Sequence, residues 1–210
     1  MHDKSNTITS GTPLQQAEKA IIMLHGRGAT AENILGLEDE LNLKDFAILA
    51  PQATNNTWYP YSFMAKVDQN QPWLDSALEL IDVLVKEITD SGIPKEKIYF
   101  AGFSQGACLT LEYIARNAVR YGGAAAFTGG LIGEEIDRSN YSGNFEGMPL
   151  FVSTGDPDPH VSVSRVSESV MILKGMNAEV NLQIYEGRPH TVAQDEVDRA
   201  NEIIFEDRSE

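Results

Sequence analysis

The sequence predicts an α/β protein: a mostly parallel, doubly wound sheet with helices covering both faces. Three observations point to this class. Short runs rich in Val, Ile, Phe and Ala recur along the 210 residues and are continuous in character, as strands buried on both faces are. Between them lie segments whose apolar residues repeat at three- and four-residue intervals. Strand and helix alternate over the length of one domain, an order that gives parallel strands with a ligand site at their carboxyl ends.

The elements follow in order. Residues 1–17 are polar and form a flexible or edge N-terminal segment of one domain spanning 1–210, with His2 in a frayed terminus. The first core strand is expected at 20–24, then a helix at 32–41 and a strand at 46–50. Residues 51–72 show no period, and about twenty such residues usually mark a functional loop. Leu74, Ala77, Leu78, Ile81, Leu84, Val85 and Ile88 share one face of a helix that stops at Gly92, with Pro94 beyond. A strand at 97–101, a helix at 105–117 and a strand at 123–127 come next. Residues 131–147 are the size of a small flap. A strand at 149–153, a helix at 162–176, a strand at 180–185 and a helix at 192–206 complete the pattern. The acidic side chains at 195–206 are expected to form a solvated face.

Composition excludes several functions. The net charge of −15, from 31 acidic against 16 basic side chains, repels polyphosphate and argues against nucleic acid or anionic lipid as main partner. No apolar stretch approaches the roughly 20 residues that span a bilayer, so no membrane insertion is expected. The start of the chain is polar with no apolar run after it, and no signal peptide is read. The single cysteine, Cys108, forbids an internal disulfide or a cysteine-rich zinc site and is expected to pack in the core. Together these point to the cytoplasm, and a homodimer stays open.

Chemistry is concentrated at Gly102, Phe103, Ser104, Gln105 and Gly106, a G-x-S-x-G pattern directly after a strand and directly before a helix. A strand reversing into a helix lifts the serine hydroxyl clear of the sheet, and glycines two positions either side avoid backbone collisions. The helix amino terminus then faces any anion formed beside the serine. Ser104 is the expected nucleophile, and it needs a base and a carboxylate to orient that base. In hydrolases of this arrangement the chain order is Ser, Asp or Glu, His, which selects His190 over His2, His25 and His160. Asp158 is favoured over Asp156, which follows its strand and glycine at once and is placed to cap the turn. His160 becomes a neighbour of the site. One oxyanion donor is the backbone N–H of Gln105, and the second comes from the loop Leu24, His25, Gly26, Arg27, Gly28.

These residues carry a resemblance. The run Leu24-His25-Gly26-Arg27-Gly28, the elbow at 102–106, the 155–161 loop with Asp158, and the 187–190 turn together resemble the carboxylesterase, phospholipase and acyl-protein thioesterase family of small α/β hydrolases, over about residues 18–205. The resemblance implies the α/β-hydrolase fold, Ser104, Asp158 and His190 as triad, the backbone N–H groups of Arg27 and Gln105 as oxyanion hole, and no metal or organic cofactor. Two departures, Arg27 where thioesterases of the family typically carry an apolar residue and Thr154-Gly155 where H-G is frequent, weaken a long-chain lipid assignment more than hydrolysis. The Arg27 side chain is either solvated or meets an anionic group of the substrate.

Trp58, Tyr59, Tyr61, Phe63 and Met64 in the 51–72 loop, with Leu131 beyond the fifth strand, are the candidate substrate-binding residues. Neither 51–72 nor 131–147 is long enough for a lid domain, so an open cleft and short to medium acyl chains are expected. The expected function is a serine hydrolase cleaving small-molecule carboxylic esters through an acyl-enzyme. The alternatives are an acyl-protein thioesterase or lysophospholipase, a dienelactone-type lactone hydrolase and, from another class, a non-catalytic binding module on the same scaffold.

Overall fold

A computed structural model describes residues 1–206. Seven strands form one sheet in the order β1-β3-β2-β4-β5-β6-β7. The six from β2 to β7 are mutually parallel: β2 (Lys19–Leu24), β3 (Phe46–Pro51), β4 (Ile98–Phe103), β5 (Gly123–Phe127), β6 (Pro149–Asp156) and β7 (Glu179–Glu186). The first strand, β1 (Thr7–Gly11), runs antiparallel along β3 at the sheet edge, pairing Thr7 with Pro51 and Gly11 with Ala47. The sheet is the α/β-hydrolase arrangement expected from the sequence, and β1 is an addition to it. Its alternating Thr, Ile and Ser carry little apolar signal, because only one edge and one face are covered.

Side chains alternate across the sheet and divide the core in two. Ile22, Leu24, Phe100, Ala126 and Val152 face α3 (Trp73–Asp90), α4 (Gln105–Arg116) and α5 (Val163–Gly175). Ile21, Met23, Ala101, Ala125 and Phe151 face α1 (Ala31–Leu35) and α6 (Gln194–Ala200), the latter continued by a π turn over Asn201–Phe205. The stripe read on α3 is its buried face, with Leu74, Ile81, Leu84 and Ile88 fully enclosed, each contributing roughly 1.5–3 kcal/mol of apolar burial. The helix expected at 32–41 is α1 alone. Beyond Gly36, i to i−3 bonds such as Glu38 N–H to Leu35 O replace the helical pattern, and the Glu38 carboxylate accepts the Ser10 hydroxyl of β1 at 2.8 Å. One further turn, α2 (Val67–Asn70), breaks up the 51–72 loop. No helix among the described residues is long and apolar enough to cross a membrane.

Every loop that carries a candidate site residue leaves the carboxyl edge of this sheet: 25–28 after β2, 52–72 after β3, Ser104 after β4, 128–148 after β5, the 157–161 turn after β6 and 187–193 after β7.

Candidate active site

Strand β4 ends at Phe103 and α4 begins at Gln105, so Ser104 makes the whole reversal at φ 54 and ψ −116. For a residue with a Cβ such a conformation costs about 1–3 kcal/mol and persists only where packing imposes it. Packing does so here. A Cβ at Gly102 would stand 2.5 Å from Gly106 O, and one at Gly106 would stand 2.0 Å from Leu24 O. The Ser104 N–H donates to Phe127 O at 2.9 Å, which pins the turn to β5.

The hydroxyl so presented meets His190. Ser104 Oγ lies 2.8 Å from His190 Nε2, and His190 Nδ1 lies 2.7 Å from Asp158 Oδ2. An ionised carboxylate only accepts, so Nδ1 carries the ring proton and Nε2 is left to accept from the serine. The Asp158 side chain is fully enclosed. Burial pushes its carboxyl up, but the His190 bond and the N–H groups of His160 and Val161 outweigh it and hold Asp158 below its ordinary value. The capping job expected of Asp156 is done by Asp158 itself, whose Oδ1 accepts from His160 N–H at 2.8 Å and Val161 N–H at 2.9 Å. Asp156 is exposed at the end of β6. The His190 ring is flanked by Phe103 and by an edge-on His160, with centroids at 5.1 and 4.9 Å.

Beside Ser104, the N–H groups of Gly28 and Ala29 are taken by Asn56 O and Gly26 O, whereas those of Arg27 and Gln105 have no acceptor among the described residues. The supports of this loop were not visible as such in the sequence. His25 is buried, its Nδ1 donates to Gly26 O at 2.8 Å and its Nε2 accepts Ala53 N–H at 3.1 Å. Burial lowers its pKa, opposed by the bond to Gly26, and the ring is neutral. The Gln105 side chain accepts Trp58 N–H at 2.9 Å and donates to Tyr59 O at 2.8 Å, joining the elbow to the 51–72 loop. His2 is not frayed: its backbone N–H donates to Ser76 Oγ at 2.9 Å, and its ring donates to Trp58 O at 2.9 Å and accepts Thr54 N–H at 3.1 Å.

Ser104 and His190 open into a cleft of about 540 Å³ lined also by Tyr59, Tyr61, Phe63, Met64, His160 and Val161, with Cys108 on its wall. Four of the six expected substrate-binding side chains therefore lie there. Trp58 and Leu131 do not. The Trp58 indole needs an acceptor and finds it inside, at His25 O (2.9 Å), with the ring between His2 and His25. Leu131 is core, its N–H donating to Ser169 Oγ at 2.9 Å. Arg27 is exposed and is itself one of the residues lining the cleft, and it is held there by hydrogen bonds. Its guanidinium donates to Thr57 Oγ1 (3.2 Å), Pro60 O (2.7 Å) and Tyr61 O (2.5 Å), clamping the cleft wall. The 131–147 segment is strapped down by Arg165, which donates to Gly133 O and Glu134 O, and by the buried Glu112, which accepts from Ile132 N–H and the Tyr141 hydroxyl. Burial pushes the Cys108 thiol up to about 12, so it stays protonated at neutral pH.

One expectation fails on the last helix. Glu196 is not on a solvated face but fully buried, paired at 2.6 Å with Arg188. Among the described residues no three His, Cys, Asp or Glu side chains are grouped as metal ligands.

With this geometry in place, comparison with known proteins is specific. Residues 6–205 match the family model described as phospholipase/carboxylesterase. A crystal structure of a phospholipase/carboxylesterase from Dyadobacter fermentans superimposes with a TM-score of 0.96 at 61% identity, covering 98% of each chain. Among curated proteins, acyl-protein thioesterase 1 of Saccharomyces cerevisiae is 27% identical over 92% of this chain and 94% of its own. That of Yarrowia lipolytica is 24% identical over 88% and 90%.

Proposed function

The chain belongs to the phospholipase/carboxylesterase family of ester-bond hydrolases, and from that premise we propose that Ser104, His190 and Asp158 are the triad of a serine esterase acting on short to medium acyl esters. The observation that carries this reading is the unbroken chain from Ser104 Oγ through His190 to Asp158, at 2.8 and 2.7 Å, opening on an aromatic-lined cleft.

Ser104 Oγ attacks the carbonyl carbon while its proton passes to His190 Nε2, and Asp158 stabilises the imidazolium. The N–H groups of Arg27, in the loop after β2, and of Gln105, at the start of α4, receive the carbonyl oxygen as it becomes an oxyanion. The intermediate collapses to an acyl-enzyme as His190 returns the proton to the leaving alcohol. Water, deprotonated by His190, then releases the acid by the same steps. A cleft over which the described residues place no lid supports short and medium chains over long ones. The net charge of −15 disfavours polyanionic partners, and one buried thiol suits a reducing compartment such as the cytoplasm. A second reading, cleavage of acyl thioesters, is favoured by the relatives named acyl-protein thioesterase 1, which align along nearly the whole chain.

Labelling with a fluorophosphonate tests the nucleophile. Wild type reacts and Ser104→Ala does not; an unlabelled wild type, or equal labelling of both, overturns the assignment. A series of p-nitrophenyl esters of rising acyl length, run beside an acyl-CoA, decides between the two readings.

A further inference from the structure

The loop that carries His190 is fastened by a charged pair that the mechanism does not use. Arg188, two residues before His190, is 8% exposed, and Glu196 of α6 is 0% exposed. Arg188 Nη1 donates to Glu196 Oε2 at 2.6 Å and also to Thr191 O, so the same nitrogen grips the chain on the far side of His190. The same Glu196 oxygen accepts Ala193 N–H at 2.8 Å. Arg188 Nη2 reaches across to Thr128 Oγ1 at 2.8 Å.

Thr128 is well chosen as an anchor. It follows Phe127, whose carbonyl takes the Ser104 N–H, and it is itself held at φ 61 with its N–H on Ser153 O at 3.0 Å. The Arg188 carbonyl rests on β6, where a Cβ at Gly155 would come within 2.7 Å of it. Arg188 thus ties the base loop to the strand end that pins the nucleophile and to the strand that leads to Asp158.

Such a pair is a poor device for stability alone. Desolvating two charges offsets most of their attraction, and apolar side chains of the same volume would serve as well. Burial indeed raises the Glu196 carboxyl above its ordinary value, with Ala193 N–H and Arg188 opposing the rise. What apolar packing lacks is direction, and a planar guanidinium with several fixed donors supplies it.

We propose that the buried Arg188–Glu196 pair, anchored on Thr128, is a positioning device that holds His190 Nε2 within hydrogen-bond reach of Ser104 Oγ. The inference rests on His190 as general base, and its test is readable without that premise. Thr128→Val removes the acceptor at constant shape, Thr128→Ser retains it, and Arg188→Lys keeps the charge but loses the fork. Each is measured for kcat and KM on a p-nitrophenyl ester, for folded fraction, and by NMR of histidine-labelled protein for the His190 Nδ1–H proton shared with Asp158. Displacing a catalytic group by an ångström costs up to about 100-fold. Arg188→Lys should therefore lose about 100-fold in kcat and Thr128→Val about tenfold, with KM within about twofold. Both should broaden or lose the Nδ1–H resonance, while Thr128→Ser behaves as wild type. Unchanged kcat and resonance in Arg188→Lys and Thr128→Val, a loss that only tracks unfolding, or no such resonance in wild type overturns the proposal. If wild type cleaves no ester, the esterase reading falls, and the resonance alone decides whether the pair holds His190.

Discussion

Asp158 serves His190 with one carboxylate oxygen and its own loop with the other: Oδ2 meets Nδ1 at 2.7 Å, while Oδ1 takes two backbone N–H groups. The two roles come apart on mutation. Asp158→Asn keeps an oxygen for the turn but presents an amide to His190, favouring the tautomer with its proton on Nε2, which cannot accept from Ser104. A kcat loss of about 10⁴-fold with little change in melting temperature is expected, and Asp158→Ala should lose stability as well. Asp156→Asn should leave kcat nearly unchanged. Steady-state kinetics on one ester checks the order, and the reverse order would move the role to Asp156.

Gly106 and Gly28 separate two reasons for glycine. At Gly106 an added Cβ would stand 2.0 Å from Leu24 O, backbone of a central strand that cannot yield. Gly106→Ala should cost about 3 kcal/mol or more in urea unfolding. Gly28, at φ +76 with nothing within 4 Å of its ideal Cβ, meets only backbone strain, and Gly28→Ala should cost about 1–2 kcal/mol. Equal costs would contradict the packing account of the elbow.

The central strands and the Ser104 elbow were legible because their signals are local: continuous apolar runs, a stripe at helical spacing, glycines where a strand meets a helix. The Asp158 and His190 positions followed from chain order and turn composition. What stayed hidden depends on pairing across the chain. Thr7–Gly11 becomes a strand only because β3 offers its edge. Trp58 turns inward because His25 O accepts its indole, and His2 is ordered by partners more than 50 residues away. Glu196 looked like one more solvated acid, since its partner Arg188 lies in a loop. No local signal announces it: the residue before the helix is Ala193, which lacks the hydroxyl of a capping box, and only the fold shows the Glu196 carboxylate turned back to take the Ala193 N–H.

Acid should loosen the loops after β2 and β3 first. Burial lowers His2 and His25 below the ordinary 6.5, so above that pH both states are neutral and the contribution is complete. As pH falls below 6.5 the unfolded chain takes up protons that the folded one resists, and stability drops through the window down to the folded values. Protonation also removes the acceptors for Ala53 N–H and Thr54 N–H. The melting temperature should fall from pH 6.5 to about 5, less steeply in His2→Phe, which keeps a ring against Trp58. Asp158, held below its ordinary 3.8, adds its loss only further down. A flat melting temperature across that range would contradict neutral, buried imidazoles.

Arg27 bears on the site twice, through the backbone N–H proposed as an oxyanion donor and through the side chain that clamps Thr57, Pro60 and Tyr61. Substituting the side chain leaves the N–H in place, so Arg27→Met should act on the cleft wall and not on the oxyanion. Each hydrogen bond lost at an exposed clamp is worth about 0.5–1 kcal/mol, which for a wall bearing Tyr59 and Tyr61 corresponds to a several-fold rise in KM with kcat changed less. Because the guanidinium is committed to loop oxygens, the KM rise should be the same for a neutral p-nitrophenyl ester and for one carrying a free carboxylate. A larger rise for the carboxylate-bearing ester, weakening with added salt, would instead make Arg27 a receptor for anionic substrates.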